Sequence, residues 1–124
     1  MIAGRNAYVG SMVSTASPSR LLVMLYDRLV LDLQRAAEAQ VAGDHAAAAP
    51  QLLHAQEIVL ELQSSLNQEA WAGAGQLSAI YNWVHRELIR ANVQRDVTVT
   101  RSCLELVQPL ADAWREAALV AAER

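Results

Sequence analysis

A chain of 124 residues, 53% hydrophobic and 19% charged, with mean hydropathy +0.12 and net charge −3, has the size of one compact domain. No apolar run approaches the roughly 20 residues of a membrane span, and all ten basic residues are scattered arginines, so neither membrane insertion nor nucleic-acid binding is expected. The lone Cys103 excludes an intrachain disulfide, and Met1 to Asn6 lack the apolar core of a signal peptide, so cytoplasmic residence is expected.

The chain carries no β signal: no alternating run, no Asn-Gly hairpin and few aromatics. A short helix over about Asn6 to Ser14 comes first, within an N-terminal segment 1–16. Ser17-Pro18 then supplies a strong helix start, with Ser17 as N-cap and Pro18 at the first helical position, where its missing N–H costs nothing. This helix spans 18–42 and stops at Gly43, a natural left-handed residue. Its stripe Leu22, Leu25, Leu29, Leu33, Ala36 suffices for one buried face, yet Val23, Met24, Tyr26, Val30 and Leu31 fill the flanks.

Asp44 caps a helix over 45–66 that Pro50 should delay or kink near Ala46. Its stripe runs Ala55, Ile58 (or Val59), Leu62, Leu66, with Leu53 and Leu60 lying off it. Asn67 to Gly75 reads as a loop. The next helix, 76–92, carries Leu77, Ile80, Tyr81, Val84, Leu88 and Ala91, and Asn92 is placed as its left-handed end. Asp96 caps a last helix, 97–122, which Pro109 should bend around Glu105. Short connections make neighbours antiparallel. The expected fold is all-α: an elongated antiparallel four-helix bundle over 17–124, with a short extra N-terminal helix.

Catalytic chemistry finds little support. The residues three before His54 and His85 are Gln51 and Asn82, not the Glu of a di-iron Glu-x-x-His pair, and no metal or cofactor is expected. Cys103 has no His nearby and reads as core. A chorismate-mutase-like enzyme would need Arg28, Arg35, Arg86 and Arg90 to converge on one cavity; a solvated face with partners such as Asp32 is the simpler reading. Surplus apolar faces point to a binding module, or alternatively to a weak homodimer that covers them without cargo.

Several segments, in order and at near-constant spacing, resemble the FliS family of flagellar export chaperones: Ala7-Tyr8, Val13 and Thr15-Ala16-Ser17-Pro18; Met24-Leu25-Tyr26-Asp27; Gly43-Asp44; Ala55-Gln56-Glu57-Ile58-Val59 with Glu61-Leu62; Leu66-Asn67; Ile80-Tyr81-Asn82-Trp83-Val84, Leu88, Ala91-Asn92 and Asp96; and Ala113-Trp114. Departures are Arg28 where the family usually has Gly, His54 for Lys, and Asn82 for Asp. The resemblance implies a non-enzymatic protein that binds the disordered C-terminal segment of flagellin, prevents premature polymerisation and aids delivery to the export gate protein FlhA. Leu53, Ile58, Leu62, Ile80, Tyr81, Val84, Leu88 and Ala91 are the expected groove, with Tyr8 and Val13 contacting it from an N-terminal lid.

Overall fold

The computed structural model describes residues 17–67, 69 and 71–122. They form four helices, α1 (Pro18–Val41), α2 (His45–Ser65), α3 (Ala74–Gln94) and α4 (Val97–Ala122). The short helix expected over 6–14 lies outside the described residues, as do Tyr8 and Val13. Among the described residues no helix is long and apolar enough to cross a membrane.

Local chemistry sets most helix ends. Ser17 is extended (φ −64°, ψ 156°), its Oγ accepts the Arg20 N–H at 3.2 Å, and Pro18 follows at the first helical position. Gly43 takes φ +72°, which lets the Asp44 N–H reach back to the Ala39 carbonyl at 2.8 Å. The Asp44 carboxylate then accepts the Ala47 N–H at 3.0 Å and starts α2. Pro50 neither delays nor breaks that helix. It lies on the exposed side with Ala46, so water satisfies the carbonyl that a proline leaves without its donor. The same holds for Pro109 in α4, where both Pro109 and Glu105 are exposed and the helix runs on to Ala122.

The ends of α3 differ more from the sequence reading. The helix begins at Ala74, two residues early, because Gly73 is already in the helical region (φ −81°, ψ −8°) and its carbonyl accepts the Leu77 N–H at 3.0 Å. Trp71 lays its indole where a Cβ on Gly73 would project, which explains glycine at that position. Asn92 does not end the helix. The left-handed residue is Arg95 (φ 53°, ψ 43°), which frees the Asp96 N–H to bond the Ala91 carbonyl at 3.0 Å and the Asp96 side chain to cap Thr98 at 2.9 Å.

The helices form a four-membered ring. α1 packs on α2 and α4, and α3 packs on α2 and α4, while diagonal pairs do not approach closely. Short turns at 42–44 and 95–96 and the loop 66–73 make successive helices antiparallel. Leu29, Leu33, Leu52, Ile58, Val84 and Leu88 fill the centre, each at most 1% exposed. Polar side chains span the diagonal that the backbones leave open. The Tyr26 and Tyr81 hydroxyls meet at 2.7 Å near one end. Near the other, Gln40 donates to the Ala91 carbonyl at 3.3 Å and accepts from the Thr100 hydroxyl at 2.6 Å.

Burial makes three of these core groups sensitive to alkali. It pushes the Tyr26 phenol above its ordinary 10, with the Tyr81 hydroxyl and the Trp114 indole opposing more weakly. It pushes Tyr81 up too, reinforced by the bond to Tyr26, and raises the Cys103 thiol from 9 to about 12. Each group is protonated in the fold and ionises on unfolding once the pH passes its ordinary value. Unfolding then releases protons, so stability is full below about pH 9 and falls as the pH rises beyond it. Urea midpoints at pH 8 and 10.5 should differ, the higher pH unfolding first, and Cys103→Ala should narrow the gap. Equal midpoints would contradict this account.

Candidate functional site

Because α1 lies between α2 and α4, it absorbs most of its surplus apolar flanks: Tyr26 and Val30 are buried, and Val23, Met24 and Leu31 are half-buried. Apolar surface is left over chiefly on α2, α3 and α4, in three places.

The first is the α3–α4 seam, the loosest of the four. The two-residue turn between these helices sets their register and brings Cys103 beside Glu87 and Arg90. Ile80 and Trp83, three apart on α3, and Leu106 and Leu110, four apart on α4, line this seam half-buried against the core. Further along α4 the wall is made of small residues: Ala113, Ala117, Val120 and Ala121, with Glu116, border a shallow depression of about 430 Å³. At the opposite end the rim is polar. Arg90 Nε donates to Glu87 at 2.6 Å, and this bond holds the Glu87 carboxyl below the usual carboxylate range.

The second surface is the outer α2–α3 face. Leu53 and Leu60 are 51% and 49% exposed, and Ile89 and Val93 42% and 75%. Gln63 Nε2 donates across this face to Asn82 Oδ1 at 2.6 Å. The third is a groove of about 460 Å³ between the start of α1 and the end of α4, lined by Ser17, Arg20, Val23, Ala118 and Leu119, beside an Arg115–Asp27 ion pair.

One charged cluster is internal. Asp32 is fully buried; its Oδ1 accepts from Arg28 Nε at 3.0 Å and its Oδ2 is bound to His54 Nδ1, which ties α1 to α2. The four arginines considered as an anion site do not converge. Arg28 and Arg35 are on α1 and Arg86 and Arg90 on α3, which lie diagonally across the ring.

The residues expected to line a groove divide into two groups. Leu53 is on the outer face of α2 and Ile80 in the α3–α4 seam, both accessible. Ile58, Leu62, Tyr81, Val84, Leu88 and Ala91 are at most 4% exposed and form the core wall behind those surfaces. They occupy the central stripes of α2 and α3, which face the middle of the ring. Trp83, Leu106, Leu110, Ile89 and Val93 belong to these surfaces without being among the expected residues; what marks them in the sequence is a position beside each stripe rather than on it, as for Leu53 and Leu60.

Residues 1–121 match the family model described as flagellar protein FliS. The chain is 32% identical over 111 residues to a flagellar secretion chaperone FliS from Bacillus subtilis, covering 90% of this chain and 83% of that protein. It is 32% identical over 122 residues to the Escherichia coli protein of that name, covering 94% and 90%, and 33% identical over 110 residues to the one from Salmonella typhimurium, covering 87% and 82%. A crystal structure of a flagellar chaperone from bacteria shares the fold, with a TM-score of 0.74 at 20% identity over 93% of this chain and 97% of that one.

Proposed function

The chain belongs to the FliS family of flagellar secretion chaperones, and from that premise we propose that it holds the C-terminal segment of flagellin in the α3–α4 seam until export. The observation that carries this reading is the loose seam itself, with Ile80, Trp83, Leu106 and Leu110 half-buried along it and a small-residue wall at one end. A cargo helix laying its apolar side chains there uses the helix-in-groove mode of recognition. Ala113 and Ala117 let its backbone come close. Ile58, Leu62, Tyr81, Val84, Leu88 and Ala91 would give the seam a rigid floor, and Leu53 would meet cargo that continues onto α2.

The protein acts by covering, without catalysis or cofactor. Flagellin polymerises through its terminal helices, so occupying one of them blocks filament growth in the cytoplasm. Delivery passes through a transient contact of the loaded chaperone with the export gate protein FlhA. Tyr8 and Val13, expected to contact cargo from the N-terminal segment, lie outside the described residues.

Calorimetric titration with a peptide of the last 40 or so residues of the organism's own flagellin tests the reading. One-to-one binding with a negative heat-capacity change and a gain in peptide helicity is expected. No heat or helicity change at tens of micromolar peptide would sink the proposal.

A further inference from the structure

We propose that the groove between the start of α1 and the end of α4 holds the C-terminal carboxylate of the cargo chain, with Arg20 as its counter-ion. This rests on the reading that cargo binds in the α3–α4 seam, and it adds what receives the last residues of that cargo. α1 and α4 are antiparallel neighbours, so the first turn of α1 lies beside the last turns of α4. Half-buried Val23 and Ala118 form the floor of the groove, and exposed Leu119 stands at its side. The Arg115–Asp27 ion pair crosses from α4 to α1 at the inner end and sets the width. At about 460 Å³ the groove falls within the range of small-ligand sites, roughly 300–1,000 Å³.

The polar groups of the groove suit a carboxylate. Arg20 is exposed in it, and among the described residues its guanidinium makes no hydrogen bond or ion pair. The first turn of α1 carries no acidic residue, so a cation stands at the positive end of a helix, where an anion is favoured. Ser17 Oγ is taken by the Arg20 N–H and Pro18 has no N–H, which leaves the Ser19 N–H of that turn without an intrahelical acceptor. Arg115, by contrast, is engaged by Asp27 and, at 3.3 Å, by Asp112. Of the two arginines in the groove, Arg20 is the one a ligand can claim.

The groove also continues the seam. The shallow depression at the end of the seam and this groove share Ala121. Between them α4 presents Ala117, Ala121 and Ala118, so a chain leaving the seam meets no large side chain of α4 on the way. The two hollows differ in charge. Glu116 borders the first, and Arg20 and Arg115 the second, so a terminal carboxylate is repelled from one and drawn to the other. A cargo helix held in this way lies in the seam with its C-terminus toward the end of α4, parallel to that helix. Capture of a chain terminus by polar groups of this kind is a recurring mode of peptide recognition.

Calorimetry of the full chain with the flagellin C-terminal peptide, prepared once as the free acid and once as the C-terminal amide, tests this. The amide should bind about tenfold more weakly, the worth of one charge-assisted hydrogen bond. Arg20→Ala should cost the free acid about as much and the amide less than about threefold, with an unchanged thermal midpoint. Free acid and amide within about threefold of each other in the parent chain overturn the inference and leave the seam reading standing. So does an amide penalty that persists in Arg20→Ala, because the carboxylate is then held elsewhere. An Arg20→Ala chain that binds both peptides more tightly gives the groove to a competing segment of this chain and overturns the inference too. If neither peptide binds, this inference and the seam reading fall together.

Discussion

Replacing His54 with alanine should lower the unfolding free energy by about 2 kcal/mol, within the range for leaving a buried polar oxygen without its hydrogen-bond partner. Asp32 has no exposed surface, and its two oxygens are divided between Arg28 on its own helix and His54 on α2. Without the imidazole, Oδ2 has lost its partner inside the α1–α2 seam. His54 is 28% exposed, so some water can enter the gap, which keeps the loss below the top of the range. The double variant Asp32→Ala/His54→Ala should be less damaged than the two single losses added together, because no charge is left stranded. Urea unfolding followed by circular dichroism at pH 7 measures all three. A single-variant loss below about 0.5 kcal/mol would mean that the pair contributes little.

Trp83→Ala should weaken flagellin peptide binding by about thirtyfold, equivalent to roughly 2 kcal/mol, the size of an aromatic hot spot. Trp83 is half-buried against the core, one turn from Ile80 on α3, so its ring offers a large apolar surface that is already held in place. Ile80→Asp should have a similar effect by placing a charge one turn away. Val41→Ser, at the exposed end of α1 and away from the seam, should leave affinity unchanged. Calorimetry gives the affinities, and thermal melts separate lost contact from lost fold. If Trp83→Ala binds within threefold of the parent chain, cargo does not use the seam.

Most of the architecture was legible in the sequence because it rests on local chemistry. Ser17-Pro18, Gly43-Asp44 and Asp96 act within three or four residues of themselves, and each sits at a helix boundary in the structure. The misplaced boundaries have a different origin. Arg95 takes a left-handed conformation that nothing in its side chain requires, and Ala74 joins α3 because Gly73 is already helical and its carbonyl accepts the Leu77 N–H. Pro50 and Pro109 do not interrupt their helices, since whether a proline harms a helix depends on whether its orphaned carbonyl sees water, which is a matter of tertiary placement. The candidate surface was legible only in outline. Periodicity identifies the middle of a stripe well, and Val84 and Leu88 are therefore core. It does not reveal how far apart two helices stand, and that distance separates a half-buried Trp83 from a buried Tyr81.

The tyrosine pair across the ring has a mechanical consequence. Four rods joined only along the sides of a square can collapse into a rhombus, and one strut across either diagonal stops that motion. Tyr26–Tyr81 and Gln40–Ala91 are two such struts, placed near opposite ends of the same α1–α3 diagonal. The N-terminal part of α4 is pinned as well, through Thr100 to Gln40. Beyond Pro109, α4 is tied to α1 by the Arg115–Asp27 ion pair and by the Trp114 ring beside Tyr26, and both ties lie before its last two turns. The easiest deformation left to the frame is an outward swing of the last turns of α4, on the side where Ala113 and Ala117 border the seam. Loading and unloading should therefore proceed from that end, like a clasp hinged at Thr100.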